Sequence, residues 1–118
     1  MYARKRVNNK VAVMKLILMY TIEDNAHRDA LRRSLDDIFG EFDEYSMLDQ
    51  STYSIPGESH IRVKHVLQSI CLDICDNYGK FSKYDEVTLY YAKNPKDYTS
   101  SLCDISRIDI LDGLRRRY

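Results

Sequence analysis

Two adjacent carboxylates, Glu23 and Asp24, leave the end of a strand-length apolar run, and Arg28 follows about one helical turn later. Oxygen ligands at a strand end could bind Mg²⁺ or Mn²⁺ and activate a water molecule, with an arginine holding phosphate. In that reading Glu23, Asp24 and Arg28 form the candidate catalytic set and Asp24 is the candidate metal ligand. Asp and Glu at the start of a helix also serve as caps and answer the helix dipole, a purely structural reason for the same residues.

Other residue types carry less. His60 and His65 stand five apart and His27 falls on another element, so the three histidines lack metal-ligand spacing and read as solvated or capping groups. Cys71, Cys75 and Cys103 form no C-x-x-C pair. Cys71 and Cys75 lie four apart on an apolar helical stripe, as buried thiols do. Ser51, Ser54 and Ser59 have no His and Asp set around them that would make a nucleophile. The four glycines, Gly40, Gly57, Gly79 and Gly113, are isolated, so no glycine-rich phosphate loop exists and no nucleotide cofactor is expected. Mg²⁺ or Mn²⁺ enters only with the nuclease reading.

The elements that must position these residues follow from periodicity. Residues 15–22 (K-L-I-L-M-Y-T-I) form a near-continuous apolar run, which predicts a strand buried on both faces; Val11 and Val13 could lengthen it. Asp24 or Asn25 supplies an N-cap for a helix over about residues 25–39, with Leu31, Leu35, Ile38 and Phe39 at helical spacing and Gly40 as the stop. Residues 44–50 and 51–55 are short β-prone pieces, closed by Pro56-Gly57. Between 59 and 78, Val63, Val66, Leu67, Ile70, Cys71, Ile74, Cys75 and Tyr78 repeat at helical spacing up to Gly79. Residues 85–93 alternate Val87, Leu89 and Tyr91 with Thr88 and Tyr90, a strand with one buried face ended by Asn94-Pro95. In the remainder Leu102, Ile105, Ile108, Leu111 and Leu114 recur every third residue, which suits a short helix, although 107–111 could equally form a fifth strand.

The order β-α-β-β-α-β predicts an α+β, ferredoxin-like sandwich: two helices on one face of a four-stranded antiparallel sheet, plus a C-terminal helix or fifth strand. At 118 residues one domain is expected, with a flexible basic arm over 1–10, the sandwich over 11–95 and a packed extension over 96–118. The other sheet face is left open. Tyr20, Tyr45, Tyr53, Tyr90 and Tyr91 fall on predicted strands and suit a half-wet interface. A homodimer is therefore expected, or coverage of that face by the C-terminal segment.

A strand ending in a carboxylate, an arginine-bearing helix and then Gln50-Ser51-Thr52-Tyr53 on a later strand resemble the small CRISPR-associated ferredoxin-like nuclease and integration-subunit family. GhoS-type antitoxin RNases and VapD-type toxins share that fold. The resemblance spans roughly residues 15–93 and implies a strand-one aspartate that binds metal at a dimer axis, a place only Asp24, or Glu23, can take here. In that family the acid commonly follows an aromatic and a small spacer, whereas Thr21-Ile22 intervene in this chain.

Zero net charge hides an uneven distribution. Residues 1–15 hold five cations and no acid, and the chain ends in Arg115-Arg116-Arg117-Tyr118. Residues 23–49 carry nine acids against Arg28, Arg32 and Arg33. So acidic a body repels a phosphate backbone, and nucleic acid would have to be met by the tails through Arg4, Lys5, Arg6, Arg115, Arg116 and Arg117, with Tyr2 and Tyr118 able to stack on bases. Asp36, Asp37, Glu41, Asp43 and Glu44 could instead occupy a basic groove on a protein partner. No apolar run spans a bilayer and no secretory leader is recognisable, so a cytoplasmic place is expected. These features favour a small non-catalytic interaction or regulatory protein, of the kind a phage or mobile element carries, working through its sheet face or acidic helix face. The alternatives are a metal-dependent endoribonuclease and a nucleic-acid binder that uses its basic tails.

Overall fold

The computed structural model describes residues 16–92 and 105–117. The chain order is β1 (Leu16–Thr21), α1 (Asn25–Phe39), β2 (Ser46–Asp49), β3 (Thr52–Ile55), α2 (His60–Tyr78), β4 (Glu86–Ala92), β5 (Ile105–Asp109) and α3 (Asp112–Arg117). The five strands form one antiparallel sheet in the order β2-β3-β1-β4-β5. This α+β arrangement contains the expected βαββαβ order and adds to it. Both C-terminal alternatives occur, since residues 105–109 extend the sheet beside β4 and Asp112–Arg117 then forms a helix.

Alternation along the strands decides which face meets the helices. Leu16, Leu18 and Tyr20 of β1, Tyr53 and Ile55 of β3, and Val87 and Leu89 of β4 join Leu31, Leu35 and Phe39 of α1 and Val63, Leu67, Ile70, Cys71 and Ile74 of α2 in one core. Ile110, Leu111 and Leu114 close it from the C-terminal segment. Burying a large aliphatic side chain of this kind contributes about 1.5–3 kcal/mol, so this single apolar layer carries the fold.

The same alternation corrects the expectation for β1. Its second face is not packed like the first: Ile17 is half-buried and Met19 is 43% exposed. An apolar run of strand length does not distinguish a strand packed on both sides from one packed on one side, and Ile17 and Met19 supplied the false signal. Across this open face Met19 pairs with Thr52 and Thr88, and Ile17 with Ser54 and Tyr90, so small polar residues from the neighbours interrupt it. Ile38, expected on the apolar stripe of α1, is also largely exposed.

The tyrosine expectation is corrected too. Tyr20, Tyr45 and Tyr53 lie on the helix side, not on the open face, as a stacked row with ring centroids 6.1 Å apart between Tyr20 and Tyr53 and 5.7 Å between Tyr45 and Tyr53. Tyr91 lies against the ring of His60 at 4.0 Å. Only Tyr90 of the five shares the open face with Ile17. Of the described C-terminal residues, β5 adds to the sheet edge and α3 packs against α2, with a Cβ on Gly113 reaching 3.6 Å from Gln68.

Local rules set the element ends. Asp24 caps α1 and Ser59 caps α2, and Gly79 closes α2 with φ of 95°, a backbone conformation that L side chains rarely adopt. Gly57 lets its loop approach the core, because a Cβ there would come 2.6 Å from Val63 Cγ2 and 3.0 Å from Leu16 Cδ1. No described helix is long and apolar enough to cross a membrane.

Candidate functional site

The junction of β1 and α1 uses its polar groups on itself. Asp24 Oδ1 accepts a 2.7 Å hydrogen bond from Ala26 N, which satisfies one of the unpaired donors at the helix start. Its other oxygen lies 3.2 Å from His27 Nδ1, near enough for attraction to a protonated ring but off the direction of a hydrogen bond. The Ala26 bond first, and His27 after it, hold the Asp24 carboxyl below the usual range. Glu23 is exposed, and its backbone N donates 2.9 Å to Asp85 Oδ1. Arg28 Nη1 donates to the carbonyls of Ile22 at 2.7 Å and Glu23 at 3.2 Å, which ties the helix to the strand end.

Two residues complete this junction, and both departed from expectation. His27 was expected to be solvated or capping but is buried, with its ring 4.9 Å from Phe81 and Nε2 donating 2.8 Å to the carbonyl of Gly79. It joins the start of α1 to the end of α2. Asp85, placed at the start of the last strand by its sequence position, is instead a buried loop residue whose second oxygen accepts from Ser82 N at 2.8 Å. A buried carboxylate must be hydrogen-bonded, and Asp85 meets that need by joining the β1–α1 and α2–β4 loops. The local sign was Ser82 three residues before it, the spacing of a side-chain-closed turn.

On the other side of α1 lies a groove of about 770 Å³ lined by Tyr20, Thr21, Arg28, Arg32, Tyr45, Ser51 and neighbouring residues. Tyr20 Oη donates 3.3 Å to the carbonyl of Gln50, and Tyr45 Oη donates 2.7 Å to Asp36 Oδ1. Burial first, and the Tyr53 hydroxyl next, raise the pKa of Tyr20, while the charges of Arg32 and Arg28 oppose that rise. Burial and then Asp36 raise that of Tyr45. Both phenols are therefore neutral donors at neutral pH. Arg32 makes no hydrogen bond or ion pair among the described residues.

The acidic set divides. Asp36 holds Tyr45, Asp37 and Glu41 are exposed, Asp43 is exposed and Glu44 half-buried, the last two with partners of their own. Asp36 and Asp37 occupy the last turn of α1, where no basic residue stands. Arg115, Arg116 and Arg117 fall within α3, while Arg4, Lys5, Arg6, Tyr2, Cys103 and Tyr118 lie outside the described residues. Burial pushes the Cys71 thiol up to about 12, in keeping with a packing role for that cysteine. Cys71 and Cys75 are both free and buried.

The structure thus brings Glu23, Asp24 and Arg28 to one strand end, with Arg28 turned onto backbone carbonyls and Asp24 onto its own helix. Among the described residues no group of three or more His, Cys, Asp or Glu side chains converges as a metal site would require. Arg32, four residues after Arg28 and so on the same helical face, was not singled out in the sequence, although that spacing was its signal. No family model, no curated protein and no solved structure matches this chain, so its likeness to ferredoxin-like families rests on element order.

Proposed function

We propose that this chain is a non-catalytic interaction protein that uses the acidic end of α1 to occupy a basic surface on a protein partner. The observation that carries the reading is the position of Asp37 and Glu41, exposed at the C-terminal end of α1 with no cation in its last turn. The negative end of a helix dipole disfavours carboxylates by roughly 0.3–1 kcal/mol each at low salt. Carboxylates in that place work against the helix, so a role in recognition supplies what the fold does not. Self-association through the open sheet face belongs to the proposal, supported by Met19 at 43% and Ile105 at 56% exposure beside Ile17 and Tyr90.

The test titrates a lysine-rich peptide against the protein at low and high salt and compares it with an Asp37→Asn, Glu41→Gln variant. Salt-sensitive binding that the variant loses, with folding retained, supports the reading. The rival is a metal-dependent endonuclease acting through Glu23, Asp24 and Arg28. Cleavage of RNA that needs Mg²⁺ or Mn²⁺ and disappears in both Glu23→Ala and Asp24→Ala would replace the proposal.

A further inference from the structure

We propose that the groove between α1 and the start of β3 binds a phosphate group, held by Arg28 and Arg32 and presented by a small phosphate ester. Arg32 is a cation that the fold does not use, and it stands one helical turn from Arg28, which spends only Nη1 on the fold. Arg28 and Arg32 lie four apart on one helical face, where like charges repel, and Arg28 stands close to the start of α1, whose dipole favours anions. An anion between them would relieve that repulsion.

The surroundings suit that ligand. Arg28 is anchored through Nη1 by the carbonyls of Ile22 and Glu23, which fixes the guanidinium and leaves its remaining N–H groups without a partner among the described residues. Arg32 is wholly without one. Arg28, Arg32 and Tyr20 line the same groove. Thr21 and Ser51 line it and carry hydroxyl donors. The one carboxylate there, Asp36, is occupied by Tyr45 rather than by Arg32. Two guanidinium groups are well matched to the oxygens of a phosphate, and binding by side chains needs no glycine loop.

Size distinguishes an ester from the bare ion. A groove of about 770 Å³ is within the range of small-molecule sites and far exceeds what one phosphate fills. Tyr45 and Met47, the latter 60% exposed, border it and offer apolar surface to the organic part. This site lies apart from the acidic end of α1, so it stands or falls independently of the partner proposed above.

The experiment measures binding of inorganic phosphate and of adenosine 5′-monophosphate by calorimetry and by ³¹P chemical-shift change. It uses the full chain, Arg32→Ala, and Arg62→Ala on the exposed start of α2 as a control for loose charge attraction. Saturable binding of the nucleotide, tighter than phosphate, weakened at least about tenfold in Arg32→Ala and unchanged in Arg62→Ala, is the expected result. Equal affinity for the two probes, with the same dependence on Arg32, would keep the phosphate site but overturn its assignment to an ester. Absence of saturable binding, or equal weakening in both variants, would overturn the site. Arg32 makes no contact that the fold needs, so a melting curve of Arg32→Ala matching the parent separates lost binding from lost folding.

Discussion

The two ends of helix α1 use charge in opposite ways. At and beside its start, Asp24, His27 and Asp85 are tied to backbone N–H groups and a backbone carbonyl, and the His27–Gly79 and Glu23–Asp85 contacts each join two parts of the fold. Further along, Arg32, Asp37 and Glu41 point into a groove or into solvent and join nothing among the described residues. A charge that builds the fold is recognised by what it satisfies. A charge that the fold would do better without is the stronger mark of function, and by that measure the middle and end of α1 outrank the strand end.

Substitutions should separate the two regions by size of effect. The largest loss belongs to Asp85→Ala, which removes a buried acceptor and leaves the part-buried N–H groups of Glu23 and Ser82 without it. About 2–4 kcal/mol of unfolding free energy should disappear in denaturant titration, and Asp85→Asn, which keeps one acceptor, should lose less. His27→Ala follows, at about 2–3 kcal/mol, because the ring packs on Phe81 and holds the Gly79 carbonyl. A loss no greater than that of a surface alanine would show that His27 does not join the two helices.

Asp24 gives a smaller effect with a pH signature. Its carboxyl titrates below the usual range in the folded chain, so its contribution is present above the unfolded value, about pH 4, and is lost as pH falls through the lowered folded value. Asp24→Asn keeps a capping oxygen but loses the charge, so it should lower the melting temperature slightly at neutral pH and approach the parent in acid. An equal difference at pH 7 and pH 3 would place the effect outside this carboxylate.

Much of the fold was legible. The bounds of α1, the long stripe of α2 and the alternation of Val87 and Leu89 follow from period and caps alone, and the structure repeats them. The β1 strand was legible in place but not in burial, since Ile17 and Met19 carry the same apolar signal whether or not a layer covers them. The C-terminal segment is a strand and then a helix, and the apolar spacing of residues 102–114 merged the two into one. For the site, chemistry at the strand end was visible in residue type, but how Asp24 and Arg28 are engaged depends on contacts with Ala26, His27 and the carbonyls of Ile22 and Glu23. Asp85 meets Glu23 across 62 residues of sequence, a contact that no local pattern announces.

The most direct test is thermal unfolding, at low salt and neutral pH, of a variant that combines Arg32→Ala with Asp37→Asn, run beside Asp24→Ala. The double variant is expected to melt at or above the parent temperature, since Arg32→Ala removes a like charge four residues from Arg28 and Asp37→Asn removes a charge opposed by the dipole, while Asp24→Ala melts below it. A double variant that melts several degrees lower than the parent, or an Asp24→Ala chain as stable as the parent, would contradict the division of α1 into a structural start and a functional remainder.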